Sequence, residues 1–174
     1  MGRDLVVFKR NSITIVYGND PYTMDVSHVL DETGCPAPWS VAALGGFLIF
    51  LGSDKRLWAF NGASLKAISL DVDPILENIP DDRIEQCVAG VYYNKYFLAF
   101  PSGDGANDRV LVYDMAQKYW TMYDLPINDF SWWVGKEPVA ADRGRLVCAR
   151  SDSGYVDYLF EDENGDELEY DNGG

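Results

Sequence analysis

The sequence predicts an all-β protein, a partial β-propeller of about four blades with four antiparallel strands each and one short helix near 74–79. Three observations predict it. Short runs rich in Val, Ile, Phe, Tyr and Trp alternate with clusters of Gly, Asn, Asp, Ser and Lys, the mark of strands joined by tight turns. Eight of these runs pair into four hairpins whose first strands lie 42, 49 and 49 residues apart, taken from Leu5 to Phe47, Leu48 to Phe97 and Phe97 to Leu146, and a four-stranded blade takes about 40–50 residues. Within the hairpins, Phe47–Leu51 and Val110–Tyr113 are apolar at consecutive positions, which implies burial on both faces.

The elements follow in chain order. Leu5 to Phe8 and Ile13 to Tyr17 flank the turn Lys9-Arg10-Asn11. Phe47 to Leu51 and Leu57 to Phe60 flank Gly52-Ser53-Asp54-Lys55, and the second strand ends at Asn61-Gly62. Tyr96 to Phe100 and Val110 to Tyr113 flank a polar loop, and Leu146 to Ala149 pairs with Tyr155 to Phe160 across Arg150–Gly154. Outer strands complete the units: Trp39 to Ala43 before the second hairpin and Leu65 to Leu70 after it, Cys87 to Tyr93 and Tyr119 to Tyr123 around the third, Phe130 to Val134 and Glu167 to Tyr170 around the fourth. Blade boundaries fall near 4–34, 38–80, 84–126 and 128–171, in one propeller-like segment 1–174. The helix is expected over Pro74 to Ile79, with Asp73 as its cap and Pro74 at its first position.

Charge divides the chain unevenly. Against 14 Lys plus Arg stand 28 Asp plus Glu, a net charge of −14, and half of it lies in residues 161–174, where seven carboxylates meet no base. The acidity argues against a phosphate groove or an anionic-membrane patch, since both need clustered cations. No direct nucleic-acid binding is expected. The apolar stretch before Lys9-Arg10 is too short for a signal peptide or a membrane span, so the chain reads as soluble, with no membrane insertion. Three widely spaced cysteines, Cys35, Cys87 and Cys148, with no C-x-x-C pair, read as reduced thiols; Cys87 and Cys148 lie in apolar runs and are expected to be buried and inert.

Several stretches resemble a known family. Gly34-Cys35-Pro36-Ala37-Pro38-Trp39-Ser40-Val41, followed by Gly46-Phe47-Leu48-Ile49-Phe50-Leu51 and Leu57-Trp58-Ala59-Phe60-Asn61-Gly62, is similar to a stretch of β-propeller virion proteins encoded by tailed phages and prophages. Tyr92 to Phe100, Val110-Leu111-Val112-Tyr113-Asp114 and Trp120-Thr121-Met122-Tyr123-Asp124 resemble a blade of that family, and Leu5-Val6-Val7-Phe8-Lys9 with Ser12-Ile13 resembles one of its strand pairs. The resemblance covers roughly residues 4–160 and rests mostly on hydrophobic blade patterns. It implies a structural part of the particle, of the head-tail stabilisation hub or tail nozzle type, assembled in the host cytoplasm, with other virion subunits or copies of itself as partners. A closed ring of this kind needs two or three further blades. The chain therefore reads as a fragment of a larger propeller, or as one that closes by association.

Candidate chemistry is sparse. His28 is the only histidine, no G-x-S-x-G elbow accompanies it, and a surface or loop role is the plainer reading. Asp25, Asp54, Asp71, Asp104, Asp114 and Asp157 stand at strand ends, where a glycosidase propeller would carry paired carboxylates. For Asp114 a bond to the backbone of the following turn explains the residue as well. Asp162-Glu163-Asn164-Gly165-Asp166 has the residue types of a calcium loop but the wrong glycine position, and Asn164-Gly165 suits a hairpin turn. The Gly-rich stretch Ser102 to Asp108 lacks the Lys-Ser/Thr of a phosphate loop and precedes a strand. Trp58, Tyr92, Tyr93, Tyr119, Trp120, Trp132 and Trp133 could serve a binding surface, with core packing the expectation for Trp58 and Trp120. Trp132 and Trp133, being adjacent in a strand, point to opposite faces, so with Tyr92 and Tyr93 they form the candidate interface. No catalytic residue, cofactor or metal is expected. The reading is a non-enzymatic virion component; a carbohydrate- or protein-binding propeller module is the first alternative and a glycosidase the second.

Overall fold

A computed structural model describes residues 5–18, 20, 22–30, 32–133, 145–150 and 154–156, the last two segments and the ends of two further strands as backbone only. Among these the chain is mostly β, in four antiparallel sheets, each a meander whose strands pair in chain order. The first sheet holds β1 (Leu5–Phe8), β2 (Ile13–Tyr17) and β3 (Asp25–Leu30). The second holds β4 (Ala42–Leu44), β5 (Phe47–Leu51), β6 (Leu57–Phe60) and β7 (Leu65–Ala67). The third holds β8 (Val88–Tyr92), β9 (Lys95–Phe100), β10 (Arg109–Asp114) and β11 (Tyr119–Tyr123), and the fourth β12 (Ile127–Trp133), β13 (Arg145–Arg150) and β14 (Gly154–Val156). The four expected hairpins are therefore present, the fourth as far as Val156, with 157–160 outside the described residues. Two of the expected units have four strands and two have three among the described residues; Glu167 to Tyr170 lies outside them. In the first sheet β1 matches the second strand of the other three, and among the described residues no strand pairs on its outer edge.

The sheets stack face to face. Successive residues of a strand point to opposite faces, and β5 uses both: Ile49 and Leu51 join Tyr96, Leu98, Phe100 and Leu111 of the third sheet, while Phe50 turns to Ile13 and Ile15 of the first. Phe8 meets Phe50 with ring centroids 4.9 Å apart. The third sheet repeats the arrangement, its other face carrying Phe97, Ala99, Val110 and Val112 against Ile127 and Phe130 of the fourth. Consecutive apolar residues thus supply two cores at once, as the pattern in Phe47–Leu51 and Val110–Tyr113 implies. Each fully buried Phe or Leu here contributes about 1.5–3 kcal/mol relative to exposure. The first strands lie on one side of the stack, with β8 against both β4 and β12.

Three local expectations change. The helix is one turn, α1 (Asp73–Leu76), with Val72 at its cap position and no side-chain cap bond. Asp73 instead accepts from Ser69 Oγ at 2.6 Å and Arg56 Nε at 3.0 Å, while Ser69 Oγ accepts from Leu57 N at 2.9 Å, so the carboxylate ties the connector to β6. Trp39 does not begin a strand: Pro38–Ser40 is a 3₁₀ turn and β4 starts at Ala42. Ser40 causes this, because its Oγ donates to Ala37 O at 2.7 Å and accepts from Leu51 N at 3.0 Å, drawing the backbone out of the ladder. The first strand of the fourth unit, β12, begins at Ile127 rather than Phe130 and carries a register shift between Ile127 and Asp129.

Candidate functional site

The segment Gly34 to Val41, which links the first sheet to the second, bonds to parts of three sheets. Gly34 opens it: Ser53 N donates to Gly34 O at 3.1 Å, Gly34 N donates to Ser53 Oγ at 3.2 Å, and Cys35 N donates to Lys9 O at 2.8 Å. The β1–β2 turn and the β5–β6 turn are thereby held to one connector. A side chain has no room at Gly34, since an added Cβ would lie 2.2 Å from Lys9 O. Ser40 closes the segment; Tyr96 Oη, fully buried, donates to Ser40 O at 2.7 Å from the third sheet. Three sheets are thus locked at one end by main-chain and hydroxyl bonds. Arg10 adds an exposed ion pair to Glu85 at 2.6 Å, from the first hairpin to the connector before the third sheet.

Two thiols lie against this lock. Cys35 and Cys87 are free and buried. Burial pushes the Cys35 thiol above its ordinary value, with hydrogen bonding to Ser40 and Ala37 partly opposing the shift. Burial, and then the proximity of Cys35, raise Cys87 to about 12. The Tyr96 phenol is raised as well, chiefly by burial and then by the two thiols, so the three acidic protons share one piece of interior. Cys87 is buried, as expected; Cys148 sits on β13 opposite Val156, and its side chain is outside the described residues. Stability should consequently fall as pH rises from about 9, the ordinary thiol value, toward about 12, because the unfolded chain then releases protons that the folded chain keeps. Urea midpoints at pH 8 and at about pH 10.5 test this, together with labelling of Cys87 by a thiol reagent, which should become fast only on unfolding.

The aromatic candidates divide by position. Tyr92, half-buried, ends β8 and packs on the core between the third and fourth sheets. Tyr93 lies in the β8–β9 turn at φ 50°, 37% exposed, its ring 4.4 Å from that of Tyr92 in an edge arrangement. Trp132 and Trp133 end β12 opposite Leu146 and Arg145, with side chains outside the described residues. Since β12 runs beside β8, Trp132 and Trp133 lie on the strand next to the one that Tyr92 ends. Trp58 and Trp120 are half-buried against the cores as expected; Trp58 Nε1 donates to Asp54 at 3.0 Å, and Trp120 Nε1 reaches across to Ile68 O of the second unit at 3.1 Å. Sequence reasoning missed Trp39, which is 72% exposed in the 3₁₀ turn. The signal was present: Pro38 favours the first position of a helical turn over a strand interior.

The strand-end carboxylates mostly close turns. Asp114 Oδ1 accepts from Ala116 N and Gln117 N at 2.9 Å each, as its position predicts. Asp54 accepts from Arg56 N and Trp58 Nε1, and Asp25 from the adjacent Val26 N. Asp71 and Asp104 are exposed. Among the described residues no group of three or more His, Cys, Asp or Glu is placed to hold a metal ion. His28 lies on β3 opposite Thr14, its side chain outside the described residues, as are Asp157 and the candidate calcium loop Asp162 to Asp166. The Ser102 to Asp108 loop is pinched by Ser102 N and Oγ donating to the Asp108 carboxylate at 2.7 and 2.6 Å. No protein-family model matches the chain, and no curated protein matches it.

Proposed function

We propose that this chain forms blades of a β-propeller and serves as a non-enzymatic structural component of a phage or prophage particle, at the tail or head-tail junction. One observation carries the propeller part: the first strands β4, β8 and β12 of three stacked sheets lie against one another in succession. Twisted sheets stacked face to face along one edge fan out around an axis on that side. The resemblance of Gly34–Val41 and of the Val110–Asp114 blade to virion propellers supports the particle assignment. The lock at Gly34, Ser40 and Tyr96 suits such a role, because it fixes neighbouring blades at one rim and leaves the exposed Trp39 and Tyr93 to meet adjoining subunits.

Light scattering with negative-stain imaging of the purified chain tests the reading. The expected result is a mass of two or more chains in ring-shaped particles; a monodisperse monomer counts against it. A sugar-dependent rise in melting temperature that Trp133→Ala abolishes would favour the carbohydrate-binding module instead.

A further inference from the structure

The repeat within the chain marks one position as different. In the second, third and fourth sheets, β4, β8 and β12 pair antiparallel with β5, β9 and β13. The strand that matches these three partners in the first sheet is β1, and among the described residues nothing pairs with it on the edge away from β2. Alongside that edge runs an open groove of about 590 Å³, with Leu5–Phe8 on one side and Pro38, Val41 and Leu48 on the other. Leu5 at its mouth is 61% exposed.

We propose that the β1 edge is an acceptor for an extended segment of another polypeptide, added as a strand antiparallel to β1. Main-chain pairing supplies the attraction. Lys9 N donates to Ser12 O across the turn, so by the alternation of an antiparallel ladder Val7 and Leu5 also turn their N–H groups to β2, and Val6 and Phe8 turn theirs to the open edge. A strand seated there reads out two donors and the carbonyls beside them, and the groove takes its alternate side chains.

The occupant's chemistry follows from the strands that fill the same place elsewhere. β4 is Ala-Ala-Leu, β8 is Val-Ala-Gly-Val-Tyr and β12 is Ile-Asn-Asp-Phe-Ser-Trp-Trp, so the place takes mostly apolar segments with at most one charge. The acidic stretch 161–174, with seven carboxylates, has the wrong chemistry for an apolar groove. Among the described residues a second folded copy offers no matching segment, since its β4 and β8 are already paired in its own sheets. The site stands on the sheet order alone and is independent of the ring and of the particle.

Hydrogen exchange of backbone amides in the full chain, followed by NMR, is the test, with the synthetic peptide Val-Ala-Gly-Val-Tyr as probe. Saturating peptide is expected to slow exchange at Val6 and Phe8 by about tenfold or more, and the same peptide N-methylated at alternate residues is expected to have no effect. Val6→Pro removes an edge-facing donor without touching a β1–β2 ladder bond, Val6→Ala controls for the core contact that the side chain also loses, and only the proline should abolish binding. Unchanged exchange on adding peptide overturns the proposal. So does protection already present in the free chain at every concentration, which would mean that a segment of the chain itself covers β1. Protection that grows with protein concentration alone would assign the edge to a second copy, and overturns it equally.

Discussion

Phe50→Ala is expected to cost about 3–5 kcal/mol, the usual range for a buried phenylalanine truncated in a core that cannot collapse. Collapse is prevented from both sides. Phe50 is fully buried between the first two sheets, with Phe8 4.9 Å away and Phe60, Ile13 and Ile15 in the same cluster. The strand that carries it cannot shift toward the gap, because Ile49 and Leu51 are held in the opposite core. In urea the unfolding midpoint should drop sharply with an unchanged slope. Tyr123→Ala, at a side chain 46% exposed on β11, serves as the comparison and should move the midpoint by no more than about 0.5 kcal/mol.

Gly34→Ala is the second large effect expected, about 3 kcal/mol or more, and its cause is crowding rather than backbone conformation. The added carbon would meet Lys9 O at 2.2 Å, Arg10 C at 2.5 Å and Asn11 N at 2.5 Å, all main-chain atoms of a two-residue hairpin turn. None of them can rotate away. To make room, the turn must separate from the connector, which breaks the Cys35 N to Lys9 O bond. Gly62→Ala gives the contrast: at φ 94° the cost is conformational, about 1–2 kcal/mol, and nothing lies within 4 Å of the new atom. Thermal melts of the two variants, with exchange of the Cys35 amide as a local reporter, separate crowding from strain.

What could be read in the sequence was whatever is written locally. The hairpins around Lys9–Asn11 and Gly52–Lys55 are spelled by turn residues between β-branched and aromatic runs, and the two-faced burial of β5 and β10 is spelled by their unbroken apolar stretches. Asp114 was legible for the same reason, since its partners are two and three residues away. Illegible were features set by distant partners. Asp73 looked like a cap because its neighbours suit one, yet Ser69 and Arg56 claim both of its oxygens. The Ser40 bonds to Ala37 and Leu51 and the Tyr96 bond to Ser40 depend on which strands come together, so the 3₁₀ turn and the exposed Trp39 did not follow from composition. Positive φ at Lys55, Tyr93 and Lys118 carries no glycine to announce it. The candidate interface was legible only as far as its strands: β8 and β12 are neighbours, but a sequence cannot say whether Tyr93 or Trp39 is the more exposed.

The face-to-face stack also sets the order in which structure is lost. Each sheet is a local meander, and its apolar contacts reach the sheets immediately before and after it, so cooperativity passes from neighbour to neighbour as along a row. The second and third sheets are gripped on two faces, whereas the described contacts grip the first on one. Fraying should therefore begin at the end sheets, and from the first it travels inward with the Cys35 to Lys9 and Tyr96 to Ser40 bonds as successive latches that must open before the middle of the row gives way.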